Sequence, residues 1–253
     1  MRKIFVIGIG VGDPDYMTIQ AIKALNQVDV FFIPDKGTEK AALRDLRTAI
    51  CERFIEKADY RTIGVDIPQR ATTGDYLAGV DEWHSRLADI YGRLFEHELE
   101  ENEVGAVLVW GDPAIYDSTL RIIERVRAKG LALDFQVIPG ISSVQVLAAT
   151  HRIALNQIGE SVLLTTGRKL ADGFPNEFGS VVVLLDGAQA FAHFAEADLD
   201  IFWGAYLGTE DEILLSGKLA DVKDEIEAVR KHARLQHGWI MDTYLLRKSD
   251  SGR

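Results

Sequence analysis

The chain has 253 residues, of which 47% are hydrophobic, and its formal net charge is −11. This length and composition suffice for two modest domains or one large one, with a proper buried core. The acidic charge argues against nucleic acid as the main partner, because phosphate backbones demand a basic surface. No apolar run approaches the roughly 18–20 residues that cross a bilayer, and the start does not resemble a signal peptide. With Cys51 as its single cysteine, the chain is expected to be a soluble cytoplasmic protein without disulfides.

The first part of the chain alternates short apolar runs with amphipathic segments. Strands are predicted at Lys3–Ile7, Val28–Ile33, Val104–Trp110 and Phe135–Ile138. Helices are predicted behind the Thr18 cap, along the stripe from Leu43 to Phe54, and over Leu77–Glu100, Leu120–Lys129 and Ser142–Ala149. The stretch Tyr60–Thr73, which contains Gly64 and Pro68, is expected to be extended and irregular.

The second part of the chain is richer in strands and has shorter connections. Strands are predicted at Val162–Thr166, Val181–Leu185, Ile201–Leu207, Ile213–Lys218 and Trp239–Arg247, with a helix at Asp221–His232. This change of character predicts two α/β domains, residues 1–150 and residues 151–253.

Three glycine-containing turns follow predicted strands of the first domain. They are Gly8–Pro14 (Gly-Ile-Gly-Val-Gly-Asp-Pro), Gly111–Tyr116 (Gly-Asp-Pro-Ala-Ile-Tyr) and Pro139–Ser143 (Pro-Gly-Ile-Ser-Ser). Ligands of open α/β sheets bind at the carboxyl ends of the strands, and glycine lets backbone approach a ligand closely. Together the turns indicate a small-molecule site. NAD is disfavoured, because Asp13 stands where the dinucleotide fingerprint needs its third glycine and would repel a pyrophosphate.

Each of these turns also has a purely structural interpretation. Asp112 can stabilise its own turn, and Ser142 or Ser143 can cap the following helix.

His84, on the predicted long helix, can be a packing residue. The six histidines show no metal-ligand spacing, so no metal site is expected. The absence of a Gly-x-Ser-x-Gly elbow argues against a serine hydrolase.

The three turns, in this order, resemble those of the tetrapyrrole methylases, which use S-adenosylmethionine. The resemblance covers nearly the whole chain and implies two α/β domains with the cofactor cleft between them. It assigns cofactor contacts to Val11, Gly111, Asp112, Ile115, Tyr116, Ser142, Ser143, Thr165, Leu185 and Asp186. The chain departs from the family pattern at Trp110, where many relatives have glycine, and at Leu185-Asp186-Gly187, where they often have Tyr-Met-Gly.

Residues 75–84 and 238–247 resemble the family members that convert precorrin-5 to precorrin-6A in aerobic cobalamin biosynthesis. That resemblance implies methylation of C1 with release of acetate, and a homodimer. Asp35 matches a substrate-facing position, and His84 could handle the protons of acetyl hydration because histidine titrates near neutrality. The carboxylates of such a substrate require a basic patch, for which the loop positions favour Lys36, Lys40, Arg70, Arg152 and Arg168.

Two other hypotheses remain open from the sequence. The first is a methylase of the same fold acting on another precorrin, or on a protein or RNA target. The second is a binding module that has kept the fold and lost the chemistry, although intact motifs at all three turns count against it. An RNA substrate would require a basic surface bearing aromatic residues, which the net charge of −11 disfavours.

Overall fold

The computed structural model describes residues 1–35, 41–70 and 75–248 of the chain. Its chain divides into two compact units, Met1–Ser142 and Ser143–Arg253. Lys36 and Lys40 lie outside the described residues. No helix among those described is long and apolar enough to span a bilayer.

The first unit is built on a parallel sheet. Its strands are β1 (Arg2–Gly8), β2 (Val30–Asp35), β3 (Arg61–Asp66), β4 (Val104–Val109) and β5 (Leu133–Ile138). They lie in the order β3-β2-β4-β1-β5, and each pair of neighbours is parallel. Four of these strands agree with the sequence prediction. The expectation of irregular structure at Tyr60–Thr73 was wrong in part, because β3 forms an edge strand in which only Val65 is buried.

Helices cover both faces of this sheet. They are α1 (Ile19–Leu25), α2 (Ala41–Phe54), α3 (Tyr76–His97) and α4 (Thr119–Ala128). Successive strand residues point to opposite faces, so Phe31 packs in one core with Leu25 and Ile50, whereas Phe32 packs in the other with Phe95. The side chain of Asp75 caps α3 by accepting a hydrogen bond from the Ala78 amide at 2.7 Å. The strands and helices of this unit therefore follow the alternation of short apolar runs and amphipathic segments in the sequence.

The second unit has a mixed sheet. Its elements are α5 (Ser143–His151), β6 (Val162–Thr166), α6 (Gly167–Leu170), β7 (Ser180–Leu184), β8 (Leu199–Ala205), β9 (Ile213–Lys218), α7 (Leu219–His237) and β10 (Asp242–Lys248). The strand order is β6-β7-β10-β8-β9, and β10 runs antiparallel to both of its neighbours. The core contains Trp203, Tyr244 and Phe191. Helix α5 packs on β8, β9 and β10, so the division between the units precedes this helix, whereas the sequence places it in the first domain.

Candidate functional site

The three glycine-containing turns lie together at the carboxyl ends of β1, β4 and β5. The amide of Gly111 donates to the carbonyl oxygen of Gly10 at 2.7 Å, which joins the first turn to the second. The amide of Gly140 donates to Oδ2 of Asp112 at 2.9 Å, which joins the second turn to the third. Segments more than a hundred residues apart in sequence thus form one structure at the edge where open sheets bind ligands.

Glycine at two of these positions is required by close backbone packing. A Cβ atom on Gly140 would lie 2.1 Å from the carbonyl oxygen of Gly111, and one on Gly8 would lie 2.6 Å from the amide nitrogen of Gly140. Gly111 differs, because its φ of +70° favours glycine while its Cβ position has room: the nearest atoms are Val11 Cγ1 at 3.6 Å and Ser142 Cα at 3.7 Å. A Cβ atom at Gly111 would therefore fit in ordinary contact with Val11 and Ser142.

Asp112 performs the structural role that the sequence allowed. Its Oδ1 accepts from the Ala114 amide at 2.8 Å, as in an Asx turn, while Oδ2 accepts from Gly140. Asp13, in the matching Gly-Asp-Pro of the first turn, makes the same local bond to the Asp15 amide at 2.8 Å. The carboxylate of Asp112 thus holds two turns together.

Two predicted cofactor residues have a strained backbone. Tyr116 has a φ of 50°, Leu185 has a φ of 54°, and neither is glycine. The left-handed conformation is unfavourable for such residues, and strain of this kind concentrates at binding sites. Both side chains are exposed, at 45% for Tyr116 and 67% for Leu185. Ile115, beside Tyr116, is half-buried. Partial burial of the Tyr116 hydroxyl raises the pKa of this tyrosine.

The predicted residues of the second unit lie on two segments and on α5. Thr165 is half-buried on β6 and is paired with Val183 of β7, and these parallel strands end at the same edge of their sheet. Leu185 directly follows β7. Ser143, the first residue of α5, accepts a hydrogen bond from the Thr243 hydroxyl at 2.9 Å. The second sheet thus brings Thr165 and Leu185 to neighbouring strand ends, and β10 reaches Ser143.

Asp186 is buried, with 3% of its surface exposed. Its carboxylate accepts hydrogen bonds from the Tyr244 hydroxyl at 2.6 Å and from the Ala190 and Ala188 amides at 2.7 and 3.2 Å. Its carbonyl oxygen accepts from the guanidinium of Arg230 at 2.9 Å. A side chain held in this way fixes the shape of its loop, in which Leu185, Gly187 and Ala188 are exposed.

His84 is 7% exposed and lies on α3, which packs against α4. Its Nε2 is 2.9 Å from Oγ of Ser118, the residue that precedes α4 and follows Tyr116 by two positions. Burial lowers the pKa of His84, and the nearby guanidinium groups of Arg125 and Arg121 lower it further, against a small opposing effect of Asp81. The structure therefore favours a neutral imidazole at pH 7, bonded to a hydroxyl beside the second turn.

Of the residues predicted to contact the substrate, the structure describes Asp35, Arg70, Arg152 and Arg168. Asp35 is the last residue of β2, in register with Asp66 of β3. Arg70 stacks over the Tyr76 ring at 5.1 Å, and Arg152 and Arg168 are exposed in the second unit. Over residues 1–35, 41–70 and 75–248, no group of three or more His, Cys, Asp or Glu side chains is arranged to hold a metal ion.

Two arginines, Arg47 and Arg230, make polar interactions that the sequence does not predict. In the first unit, Nε of Arg47 donates to the carbonyl oxygen of Leu108 at 3.1 Å, and burial lowers the pKa of this arginine. In the second unit, Nε of Arg230 donates to Oδ2 of Asp242 at 2.9 Å, with both side chains more than nine-tenths buried. The available signal is a charged residue within an apolar stripe, as at Arg230 between Ile226 and Ala233 of α7.

Comparison with known proteins agrees with this geometry. A family model described as Tetrapyrrole (Corrin/Porphyrin) Methylases matches residues 3–223. The chain is 53% identical over 250 residues to a precorrin-6A synthase [deacetylating] from a Sinorhizobium species, covering 98% of this chain and 96% of that protein. The crystal structure of a cobalamin synthesis related protein, CobF, from Corynebacterium diphtheriae superposes with a TM-score of 0.84 at 38% identity, covering 99% of this chain and all of that one.

More distant structures share the fold. A uroporphyrin-III C-methyltransferase from Thermus thermophilus, solved in complex with S-adenosylhomocysteine, has a TM-score of 0.58 at 16% identity and covers 97% of this chain and 92% of its own. The turns at the carboxyl ends of β1, β4 and β5, the two-sheet architecture and the matches over nearly the full length lead to one conclusion: the chain belongs to the tetrapyrrole (corrin/porphyrin) methylases.

Proposed function

We propose that the protein is an S-adenosylmethionine-dependent C-methyltransferase that converts precorrin-5 to precorrin-6A, with methylation of C1 and release of acetate, in aerobic cobalamin biosynthesis. The relative that is 53% identical over 98% of the chain is a deacetylating precorrin-6A synthase, and this level of identity supports the same reaction here. The single structural observation that carries the proposal is the joining of the three turns through Gly10–Gly111 and Asp112–Gly140.

The residues at these turns fit S-adenosylmethionine. Gly111 carries no side chain and is bordered by Val11 and Ser142, so a ligand can approach its backbone closely. A protein of the same fold has been crystallised with S-adenosylhomocysteine. We assign to the cofactor the residues of the turns in the first unit and the strand ends and helix start of the second: Val11, Gly111, Asp112, Ile115, Tyr116, Ser142, Ser143, Thr165, Leu185 and Asp186. For Asp186 the assigned contribution is the shape of the Leu185 backbone, since its carboxylate is taken up by Tyr244, Ala188 and Ala190.

When bound, S-adenosylmethionine supplies an electrophilic methyl group. The task of the chain is then to orient donor and ring and to exclude water, which contributes more than acid–base chemistry to such a transfer. We propose that Asp35 orients a pyrrole N–H of the substrate or stabilises positive charge on the ring. We propose that His84 accepts a proton during hydration of the acetyl group, and the hydroxyl of Ser118, 2.9 Å from its Nε2, is the group through which that proton would pass.

The cofactor part of the proposal is tested by isothermal titration. S-adenosylmethionine and S-adenosylhomocysteine should each bind saturably, and NAD should not bind. The reaction is tested by anaerobic incubation with precorrin-5 and methyl-labelled cofactor, followed by mass analysis of the ring and of acetate. A labelled ring that has lost its acetyl group supports the proposal. Labelling of a different precorrin would show a methylase of other specificity, and binding without transfer to any ring would show a binding module.

Assembly and location complete the proposal. We infer a homodimer from the family resemblance. We infer a cytoplasmic location from the lack of any cysteine pair, since the one thiol of the chain, that of Cys51, is buried. Burial raises the pKa of the Cys51 thiol to about 12, so this side chain is unreactive at neutral pH. Light scattering coupled to size exclusion should give twice the chain mass, and the mass of a single chain would contradict the homodimer.

A further inference from the structure

Three consecutive residues of β10 are connected to the segments of the second unit that are assigned to the cofactor, two of them directly and Asp242 through Arg230. Thr243 donates to the Ser143 hydroxyl, Tyr244 donates to the Asp186 carboxylate, and Asp242 accepts from Arg230, which itself bonds the Asp186 carbonyl oxygen. We propose that Asp242, Thr243, Tyr244 and Arg230 are positioning residues, which hold Leu185 and Ser143 in the arrangement that binds S-adenosylmethionine. This inference rests on the proposed function.

The loop after β7 is held from two directions. Tyr244 reaches the Asp186 carboxylate across 58 residues of sequence, and the same carboxylate accepts from the amides of Ala188 and Ala190. Arg230 donates from α7 to the backbone carbonyl oxygen of Asp186 at 2.9 Å. Together these bonds fix the side chain of Asp186 and the peptide that joins Asp186 to Gly187, directly after the strained Leu185.

The Arg230 side chain is itself oriented by β10 and β8. Asp242 accepts from Nε of Arg230 at 2.9 Å and from Nε1 of Trp203 at 3.1 Å, and Trp203 is fully buried. A buried ion pair is weak evidence for stability, because apolar residues of similar volume often serve a core as well or better. The contribution of the pair here is directional, since it orients Nη2 of Arg230 toward the Asp186 carbonyl oxygen.

The exposed surface of the loop explains why such an arrangement is needed. Leu185 combines a left-handed backbone with a side chain that is 67% exposed, so its own packing contributes little to holding it. Without outside bonds the residue would relax to an ordinary conformation. The buried hydrogen bonds of Asp186 therefore keep an exposed apolar side chain in a conformation that it would not adopt alone, which is preorganisation for a ligand.

The helix start is held by a separate bond. Thr243 is 5% exposed, and its hydroxyl donates to Oγ of Ser143 at 2.9 Å. Ser143 follows Ser142, whose Cα would lie 3.7 Å from a Cβ atom at Gly111. Since Thr243 neighbours Asp242 and Tyr244 on one strand, a single element sets both the helix start and the loop.

The test compares two hydroxyl deletions in the same unit. Tyr244→Phe removes the donor to Asp186 and keeps the ring. Tyr206→Phe is the matched control, because Tyr206 is also buried and its hydroxyl bonds the Trp239 carbonyl oxygen at 2.5 Å rather than Asp186. We expect Tyr244→Phe to weaken S-adenosylhomocysteine binding about tenfold and to raise KM for S-adenosylmethionine with little change in kcat. Tyr206→Phe should lose stability without either change. Equal affinities of the two variants would overturn the inference.

Hydrogen exchange provides a readout that needs no ligand. In the unliganded protein, the amides of Ala188 and Ala190 should exchange faster in Tyr244→Phe than in the wild type or in Tyr206→Phe, because their acceptor is loosened. Unchanged exchange there would contradict the inference even if binding fell. If the wild type binds no S-adenosylhomocysteine, the proposed function fails, whereas the exchange result still decides whether β10 holds the loop.

A second variant keeps the inference testable if Tyr244→Phe does not fold. Thr243→Val removes the bond to Ser143 with a nearly isosteric side chain that suits a strand. We expect it to weaken S-adenosylhomocysteine binding several-fold while the exchange of Ala188 and Ala190 stays as in the wild type. Wild-type affinity in Thr243→Val would remove Thr243 from the set of positioning residues.

Discussion

The carboxylate of Asp112 accepts a hydrogen bond from the backbone amide of Gly140 at 2.9 Å, across 28 residues of sequence. This bond connects the turn after β4 to the turn after β5, and the bond from Gly111 to Gly10 connects the turn after β1 to the same structure. The chain supplies its own comparison, because Asp13 occupies a second Gly-Asp-Pro turn and makes the local bond without the long-range one within the described residues.

This difference predicts unequal effects of two alanine substitutions. Asp112→Ala leaves the Gly140 amide without its acceptor and should lower the free energy of unfolding by about 1–3 kcal/mol. Asp13→Ala, which removes only a local bond on an exposed residue, should change it by less than about 0.5 kcal/mol. Urea unfolding of the two variants measures both. Equal losses would show that the Gly140 bond contributes nothing to stability.

The glycines of the same turns predict a separation of stability from binding. Gly140→Ala places a Cβ 2.1 Å from a backbone oxygen, so we expect it to destabilise the first unit by about 3 kcal/mol or more, or to prevent folding. Gly111→Ala has room for its Cβ, and only the positive φ opposes it, by about 1–2 kcal/mol. Gly111→Ala should therefore fold and lose affinity for S-adenosylhomocysteine. A folded Gly111→Ala with wild-type affinity would show that the cofactor is assigned to the wrong place.

His84 predicts a pH dependence of stability. Its pKa is lowered in the folded protein from the ordinary value of 6.5, chiefly by burial, so the folded state binds fewer protons than the unfolded state. Its contribution is complete above about pH 6.5 and is lost as the pH falls through the folded-state pKa. His84→Gln cannot titrate. The free energy of unfolding should therefore fall more between about pH 7.5 and pH 5.5 in the wild type than in this variant. Parallel curves would refute a lowered pKa.

Substitution of the two proposed catalytic residues, His84 and Asp35, should change the products in different ways. Hydration of an acetyl group gains roughly 10²–10⁴-fold from a general base, whereas transfer to a nucleophilic ring carbon needs none. His84→Gln should therefore accumulate a methylated ring that retains its acetyl group, and Asp35→Asn should slow both steps together by loosening the substrate. Mass spectrometry of quenched turnovers separates the species by the acetyl mass. Wild-type acetate release in both variants would mean that the substrate alone drives its loss.

The strands that the sequence predicts well are those with continuous apolar runs, such as β4 and β7, which are buried along nearly their whole length. Strand β3 escapes prediction because an edge strand needs few apolar residues. In Arg61–Asp66 only Val65 is buried, and Gly64 adds a turn-forming residue. Its strand character comes from pairing with β2, which periodicity within the segment does not report.

The residues of the candidate site also differ in how far they can be predicted from local sequence. The turns of the first unit are predictable, since glycine and proline mark local backbone requirements that a short segment carries in itself. The role of Asp186 is not, because its partners Tyr244 and Arg230 lie 58 and 44 residues away. The assignment of Asp186 to the cofactor comes from the family resemblance, whereas its hydrogen bonds depend on a strand order that no local pattern reveals.

The central place of β10 has a consequence for how the chain acquires its activity during synthesis. All strands of the first unit precede residue 142, so its sheet can close while later residues are still being added. The second sheet differs, because β10 is inserted between β7 and β8 although it follows both in sequence. Until the ribosome has released residues 242–248, the nascent second unit keeps two open strand edges and has neither Tyr244 nor Thr243 in place. Premature termination shortly before Asp242 would therefore leave every proposed cofactor-contacting residue present in the chain and still yield a protein unable to organise those of the second unit.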